Sequence, residues 1–140
     1  MEIVDQPKLL FEGVDIVHLT FDADRPFETE EEIEISISPR LHVQKEAPLG
    51  FQILMEVNLE VEGFFQLNLT AIGHFRIGGK EVEEQHRDLF MNANAPAIMF
   101  PYVRAFISSF TSQVGTSIRP VIVPTQFFKG PLERITYEDE

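Results

Sequence analysis

The 140-residue sequence has no cysteine and no tryptophan, only two tyrosines, and 11 basic against 23 acidic residues. Without cysteine, disulfides, thiol catalysis and thiolate metal sites are excluded, which agrees with a reducing compartment. The shortage of Lys and Arg leaves a net charge of −12, so a phosphate backbone would be repelled and nucleic acid is not an expected partner. The same charge favours solubility. No eighteen uncharged apolar residues run together, and residues 1–6 have neither the basic nor the apolar part of a secretory leader. A soluble cytoplasmic protein without membrane insertion is the expectation.

The signatures of common chemistry are missing too. There is no G-x-S-x-G elbow, phosphate loop or dinucleotide fingerprint, and Gly78-Gly79 reads as a turn. His18, His42, His74 and His86 do not have the spacing of a helical or loop metal pair, although the first three share the outer parity of their strands. The carboxylates fall on loops and on a wet sheet face, with no buried pair whose pKa values would separate. A binding protein with no metal or cofactor is expected rather than an enzyme.

What is abundant is phenylalanine, 13 copies, in a chain that is 44% hydrophobic. That suffices for the core of a single domain over residues 1–140, and it also suits an oligomer interface or a groove for apolar peptide segments. Alternation of apolar and polar residues marks four strands. In the first, Val17, Leu19 and Phe21 follow the cluster Leu9-Leu10-Phe11. In the second, Ile33, Ile35 and Ile37 continue in parity through Leu41 and Val43, with Pro39 asking for an edge or a bulge. The third runs through Phe51, Ile53, Met55, Val57, Leu59 and Val61. Gly63 then marks a tight reversal into Phe65, Leu67, Leu69 and Ala71, with Gly73 read as a bulge. Asn68-Leu69-Thr70 fits a glycosylation sequon but lies in this strand.

One long helix is expected over 97–110. Phe100, Val103, Ile107 and Phe110 form one stripe, Met99, Tyr102 and Phe106 a neighbouring one, and Arg104, Ser108 and Thr111 a polar strip. Pro96 suits a first helical position, Pro101 requires a start or a kink, and Gly115 is a natural stop. Residues 81–88 can begin a short helix. The segment 120–124 is held extended by Pro120 and Pro124, Phe127-Phe128 follow, and an acidic tail is expected over about 132–140. The fold class is therefore α+β: a four-stranded antiparallel meander with one long helix packed on its apolar face.

The helix also carries a resemblance. Ile98-Met99-Phe100-Pro101-Tyr102-Val103-Arg104 is similar to the Ile-Leu-Phe-Pro-Tyr-x-Arg signature of the SecB family of protein-export chaperones. Downstream, Gly115-Thr116, Pro124 and Phe127 match that family's Gly-Thr and Pro-x-x-Phe. Upstream, Leu19-Thr20-Phe21-Asp22 resembles its Ile-Ser-Phe-Glu, and Phe65, Gly73 and Phe75 fit its last strand.

The resemblance implies a dimer of dimers that holds unfolded or export-bound polypeptides in apolar grooves and passes them to the SecA motor, without nucleotide or metal. Carried over, Phe65 and Phe127 match groove positions and Asp22 an acidic docking position. Composition adds Val121, Val123 and Phe128 to the groove. Parity adds Glu34, Glu56 and Glu60 to the acidic face, and Met99, Tyr102, Phe106 and Ser109 to an oligomer contact. Two departures stand out. His18 and Asn68 occupy positions where the family's docking face has carboxylates, and Lys129-Gly130-Pro131 with the acidic tail replaces its C-terminal helix. Three readings follow: a general holdase, an adaptor or chaperone dedicated to one partner such as a toxin–antitoxin pair, and a small-ligand domain.

Overall fold

The computed structural model describes residues 8–23, 33–43, 50–78, 84–114, 121–123 and 133–134. Four long antiparallel strands, β1 (Lys8–Ala23), β2 (Glu34–Val43), β3 (Gly50–Val61) and β4 (Phe65–Gly78), are joined by a helical run. That run comprises α1 (Glu84–Leu89), a π-helical turn (Phe90–Asn94) and α2 (Ala95–Gln113), with a two-residue strand β5 (Glu133–Arg134) last. The α+β class, with one long helix on a four-stranded antiparallel sheet, is as expected.

The strand order differs from a sequential meander: it is β1-β4-β3-β2-β5. Strands β2, β3 and β4 follow one another as hairpin neighbours, while β1 lies beside β4, a Greek-key arrangement. Length supplies the reason. A 16-residue β1 finds a full partner in the 14-residue β4 but not in the 10-residue β2.

The register explains why the parity of β1 is hard to read. Pairing with β4 shifts between Phe11 and Gly13 and again between Ile16 and His18. Each extra residue flips the following side chains to the other face, so the inward series runs Leu9, Phe11, then Val14, Ile16, then Leu19, Phe21. Val17, expected inside, is 54% exposed. Gly13, with φ 126°, sits at the first shift. The bulge expected at Gly73 is thus in the partner strand, and Gly73 itself pairs in regular register with Val14 and Ile53. Gly63, φ 82°, turns the chain as expected, closed by the Phe64 amide donating to the Val61 carbonyl at 2.9 Å. Among the described residues, Pro39 lies in a strand flanked on its far side only by the two pairs that β5 makes with Arg40 and Leu41. Glu133 and Arg134, placed in the acidic tail from sequence, therefore extend the sheet.

The helix begins earlier than expected and passes through Pro101. Pro96 follows the π turn, in which the Ala95 amide donates to the Phe90 carbonyl, a wider ring than that of an α-helix. Among the described residues, the buried face of α2 consists of Ala95, Pro96, Met99, Phe100, Val103, Ile107 and Thr111. Met99 and Thr111 of this face differ from the sequence expectation. Met99 is 0% exposed and belongs to this chain's own core, because it lies one turn before Val103 on the same stripe. Thr111 is fully buried rather than part of an outer polar strip.

Two aromatic ladders fasten the helix to the sheet. Phe51 stacks on Phe75 at 5.3 Å, Phe75 meets Phe11 at 5.3 Å, and Phe11 meets Tyr102 of α2 at 5.0 Å. At the other end, Phe65 meets Phe21 at 6.0 Å, Phe21 meets Phe110 edge-on at 5.5 Å, and Phe106 stacks on Phe110 at 6.0 Å. Each such pair adds about 0.5–1.5 kcal/mol beyond its buried area. Much of the phenylalanine content is spent on these contacts.

Candidate functional site

The flank of α2 that carries Arg104 and the buried Thr111 lies opposite to the one that meets Phe11 and Phe21. It receives the segment 121–123. The Val121 amide donates to Thr111 Oγ1 at 2.8 Å, and Arg104 Nε donates to the Val123 carbonyl at 2.7 Å. The Thr111 hydroxyl proton goes back to the Ile107 carbonyl at 2.7 Å, so its oxygen is free to accept. Val121 and Val123 are buried at 4% and 0%, whereas Ile122 between them is 74% exposed. This in–out–in alternation is that of an extended strand, as the flanking prolines predict.

In an extended chain the N–H and C=O of one residue point to the same side and those of its neighbours to the other. Val121 and Val123 turn theirs to α2, so Ile122 turns its own away. Among the described residues neither Ile122 N–H nor Ile122 C=O has a hydrogen-bond partner. The result is a short open edge with a projecting branched side chain. Of the expected groove residues, Phe65 is buried in the core against Phe21, Val121 and Val123 are buried on either side of Ile122, and Phe127 and Phe128 lie outside the described residues. Ile122 was not singled out from sequence, because a three-residue apolar run between prolines does not say which residue faces out.

The outward arc of α2 carries Ile98, Pro101, Tyr102, Ala105, Ser109 and Ser112, without a charge among them. Of the residues expected at an oligomer contact, Tyr102 is 56% exposed, Ser109 is exposed and Phe106 is half-buried. Met99 is turned to the other side of the helix.

On the outer sheet face, Glu34, Glu60, Gln66 and Asp22 form one cross-strand row. Glu56 stands apart, in an ion pair with Arg40. Asn68 donates to Thr20 at 3.2 Å. Towards the other end a hydrogen-bonded chain spans all four strands: His42 Nδ1 to Gln52 Oε1 at 3.3 Å, Gln52 Nε2 to His74 Nδ1 at 3.2 Å, and His74 Nε2 to Asp15 at 2.8 Å. One proton assignment satisfies it, with His42 Nδ1, Gln52 Nε2 and His74 Nε2 donating in turn. His18 is exposed and pairs in register with Thr70. Among the described residues no three His, Asp or Glu side chains form a metal-binding group, and no helix is long and apolar enough to cross a membrane.

Comparison with known proteins agrees with this architecture. An uncharacterized protein of Methanocaldococcus jannaschii is 28% identical over 142 residues, covering 96% of this chain and 89% of that one. The SecB-like chaperone Rv1957 of Mycobacterium tuberculosis, solved in complex with a ChAD peptide from the HigA1 antitoxin, superposes with a TM-score of 0.67 at 10% identity. It covers 85% of this chain and 88% of its own, and at that identity it speaks for the fold. The model of the family described as preprotein translocase subunit SecB matches residues 14–127, from the second inward pair of β1 to Phe127, and the chain belongs to the SecB family.

Proposed function

We infer that the protein is an ATP-independent holdase that binds extended apolar segments of unfolded or export-bound polypeptides in the cytoplasm. The observation that carries this reading is the open edge at Ile122. Main-chain pairing suits any extended polypeptide, and an exposed branched side chain adds apolar contact without a sequence code. Val121 and Val123 anchor that edge in the core to which Phe65 also belongs, and Phe127 and Phe128 are proposed to continue it. The uncharged arc of α2 and the position of β1 at the end of the sheet among the described residues favour a homo-oligomer, a dimer of dimers. The row Asp22, Glu34 and Glu60 is the proposed contact for a basic surface such as that of a SecA-like motor. Glu56 contributes less, since Arg40 already balances it.

A second reading, a chaperone dedicated to one partner, is favoured by the structural neighbour, which was solved with an antitoxin peptide bound. Aggregation assays separate the two. A holdase suppresses aggregation of two unrelated, chemically unfolded proteins at near-stoichiometric ratio. Suppression of neither, with one polypeptide co-purifying at fixed stoichiometry, establishes the dedicated role and removes the general one.

A further inference from the structure

We propose that Arg104 and Thr111 are positioning residues that fix the register of the segment 121–123 on α2, and thereby decide that Ile122 is the residue presented to a bound polypeptide. The docking half of this statement rests on the polypeptide-binding reading above; the clamp itself does not.

The spacing argues for a built device. Arg104 and Thr111 are seven residues apart, about 10 Å along a helix axis. Three residues of extended chain span about 10 Å as well. The two side chains can therefore hold the first amide and the last carbonyl of a three-residue strand at once. The order of the contacts, with Arg104 at Val123 and Thr111 at Val121, means that the segment runs antiparallel to α2.

Alternation makes the register consequential. A slip of one residue would turn Ile122 into the core and both valines to solvent, and it would present a different main-chain edge. Burial alone discriminates weakly here, because Val and Ile are close in size and in apolar character. The prolines make the two contacts discriminating: a slip that puts residue 120 opposite Thr111 offers no amide hydrogen, because Pro120 has none, and a slip the other way puts a proline ring in place of the Val123 side chain beside Arg104. The burial of Thr111 supports the same view. A fully buried hydroxyl on the core face contributes no more packing than valine would, and its remaining role is to accept from Val121 while bonded to its own helix.

The test compares Thr111→Val, which keeps the shape and loses the hydroxyl, with Thr111→Ser, which keeps the hydroxyl, and with Arg104→Met, which keeps the stem and loses the donor. Two quantities are read on the full chain: amide exchange at Val121, and binding of labelled, reduced carboxymethylated α-lactalbumin as the unfolded probe. In Thr111→Val and Arg104→Met, exchange at Val121 should rise and probe affinity fall, each by about tenfold, the scale of one lost hydrogen bond. Thr111→Ser should stay within about twofold of wild type on both. Unchanged exchange at Val121 in both Thr111→Val and Arg104→Met overturns the clamp. Faster exchange with unchanged affinity overturns its role in docking. If the wild type itself does not bind the probe while the exchange pattern holds, the clamp stands and the holdase reading fails. Should Thr111→Val not fold, Arg104→Met, altered only on a half-buried flank, decides the question alone.

Discussion

Met99 Sδ lies 2.8 Å from the point that a Cβ on Gly73 would occupy, with Met99 Cγ at 3.2 Å and Phe75 Cε2 at 3.0 Å. The helix and the centre of β4 thus approach closely at a position where the sheet has no side chain, and Met99 fills it. This glycine is required by a neighbour rather than by its backbone.

Gly73→Ala is accordingly expected to destabilise the fold by about 1–3 kcal/mol through overpacking. Met99→Ala alone should cost about 2–5 kcal/mol by leaving a cavity. The double variant should cost less than the sum, because each change accommodates the other, with a coupling of about 0.5 kcal/mol or more in denaturant titrations. Simple additivity would show that the helix does not sit on Gly73.

Val103 and Ile107 lie at the centre of the buried face of α2, each at 0% exposure. Val103→Asp or Ile107→Asp buries a carboxylate with no partner, and a loss of about 4 kcal/mol or more is expected, enough to abolish a cooperative thermal transition in a domain of ordinary stability. Circular dichroism melts check this, and an unchanged midpoint in both variants would refute the packing of α2 on the sheet.

How much of this could be read from the residues depends on whether the determining interaction is local. Strands β3 and β4 were legible because Phe51 to Val61 and Phe65 to Ala71 alternate without interruption and Gly63 marks the turn. The faces of β1 were not, because two register shifts reset parity and such shifts are settled by pairing with β4. The position of β1 beside β4 was equally hidden, since strand order depends on which partner matches in length. Helical periodicity located α2, but not which of two adjacent stripes faces the sheet; Met99 and Thr111 were therefore misplaced. Family motifs pointed to Phe65, Phe127 and the neighbourhood of the segment 121–123. Ile122 faces out between a Val121 amide that donates to Thr111 and a Val123 carbonyl that accepts from Arg104, two helix residues whose polarity was legible and whose partners were not.

Binding and stability should separate cleanly between Phe65 and Ile122. Phe65→Ala removes a ring buried at 3% exposure and in contact with Phe21, so a loss of about 3–5 kcal/mol is expected, and any reduced chaperone activity would reflect unfolding. Ile122→Ala removes an exposed side chain and should change stability by no more than about 0.5 kcal/mol while weakening probe binding. Equal melting midpoints for the two variants would mean that Phe65 is not core. Unaltered probe binding by Ile122→Asp would remove Ile122 from the site.

Glu34 and Glu60 are direct cross-strand partners on the outer face, both exposed. Like charges so placed are unfavourable, and Glu60→Lys should stabilise the fold by about 0.2–1 kcal/mol at low salt, less as salt rises. If the row serves as a docking surface for a basic partner, the same substitution must weaken that complex. A variant that is more stable and binds the partner as well as wild type would assign the row no role beyond solubility.

The uncharged arc of α2 offers a face to a second copy of the chain. Ser109→Arg is the informative change, because Ser109 is exposed and a long cation there disturbs no buried side chain of its own chain, whereas Tyr102 also packs on Phe11 at 5.0 Å and its removal would weaken the fold directly. If the arc meets the same arc of a second copy, two arginines are brought face to face in an apolar contact, a penalty of several kcal/mol to the assembly. Light scattering after size exclusion should then show the mass of Ser109→Arg fall below that of wild type, with far-ultraviolet circular dichroism unchanged. Tyr102→Phe, which keeps the ring and its contact with Phe11, should leave the mass as it was. A wild-type protein that elutes as a monomer would refute the oligomer and leave the arc of α2 without a partner; an oligomer indifferent to Ser109→Arg would place the contact elsewhere, and β1, the end strand among the described residues, would be the next surface to alter.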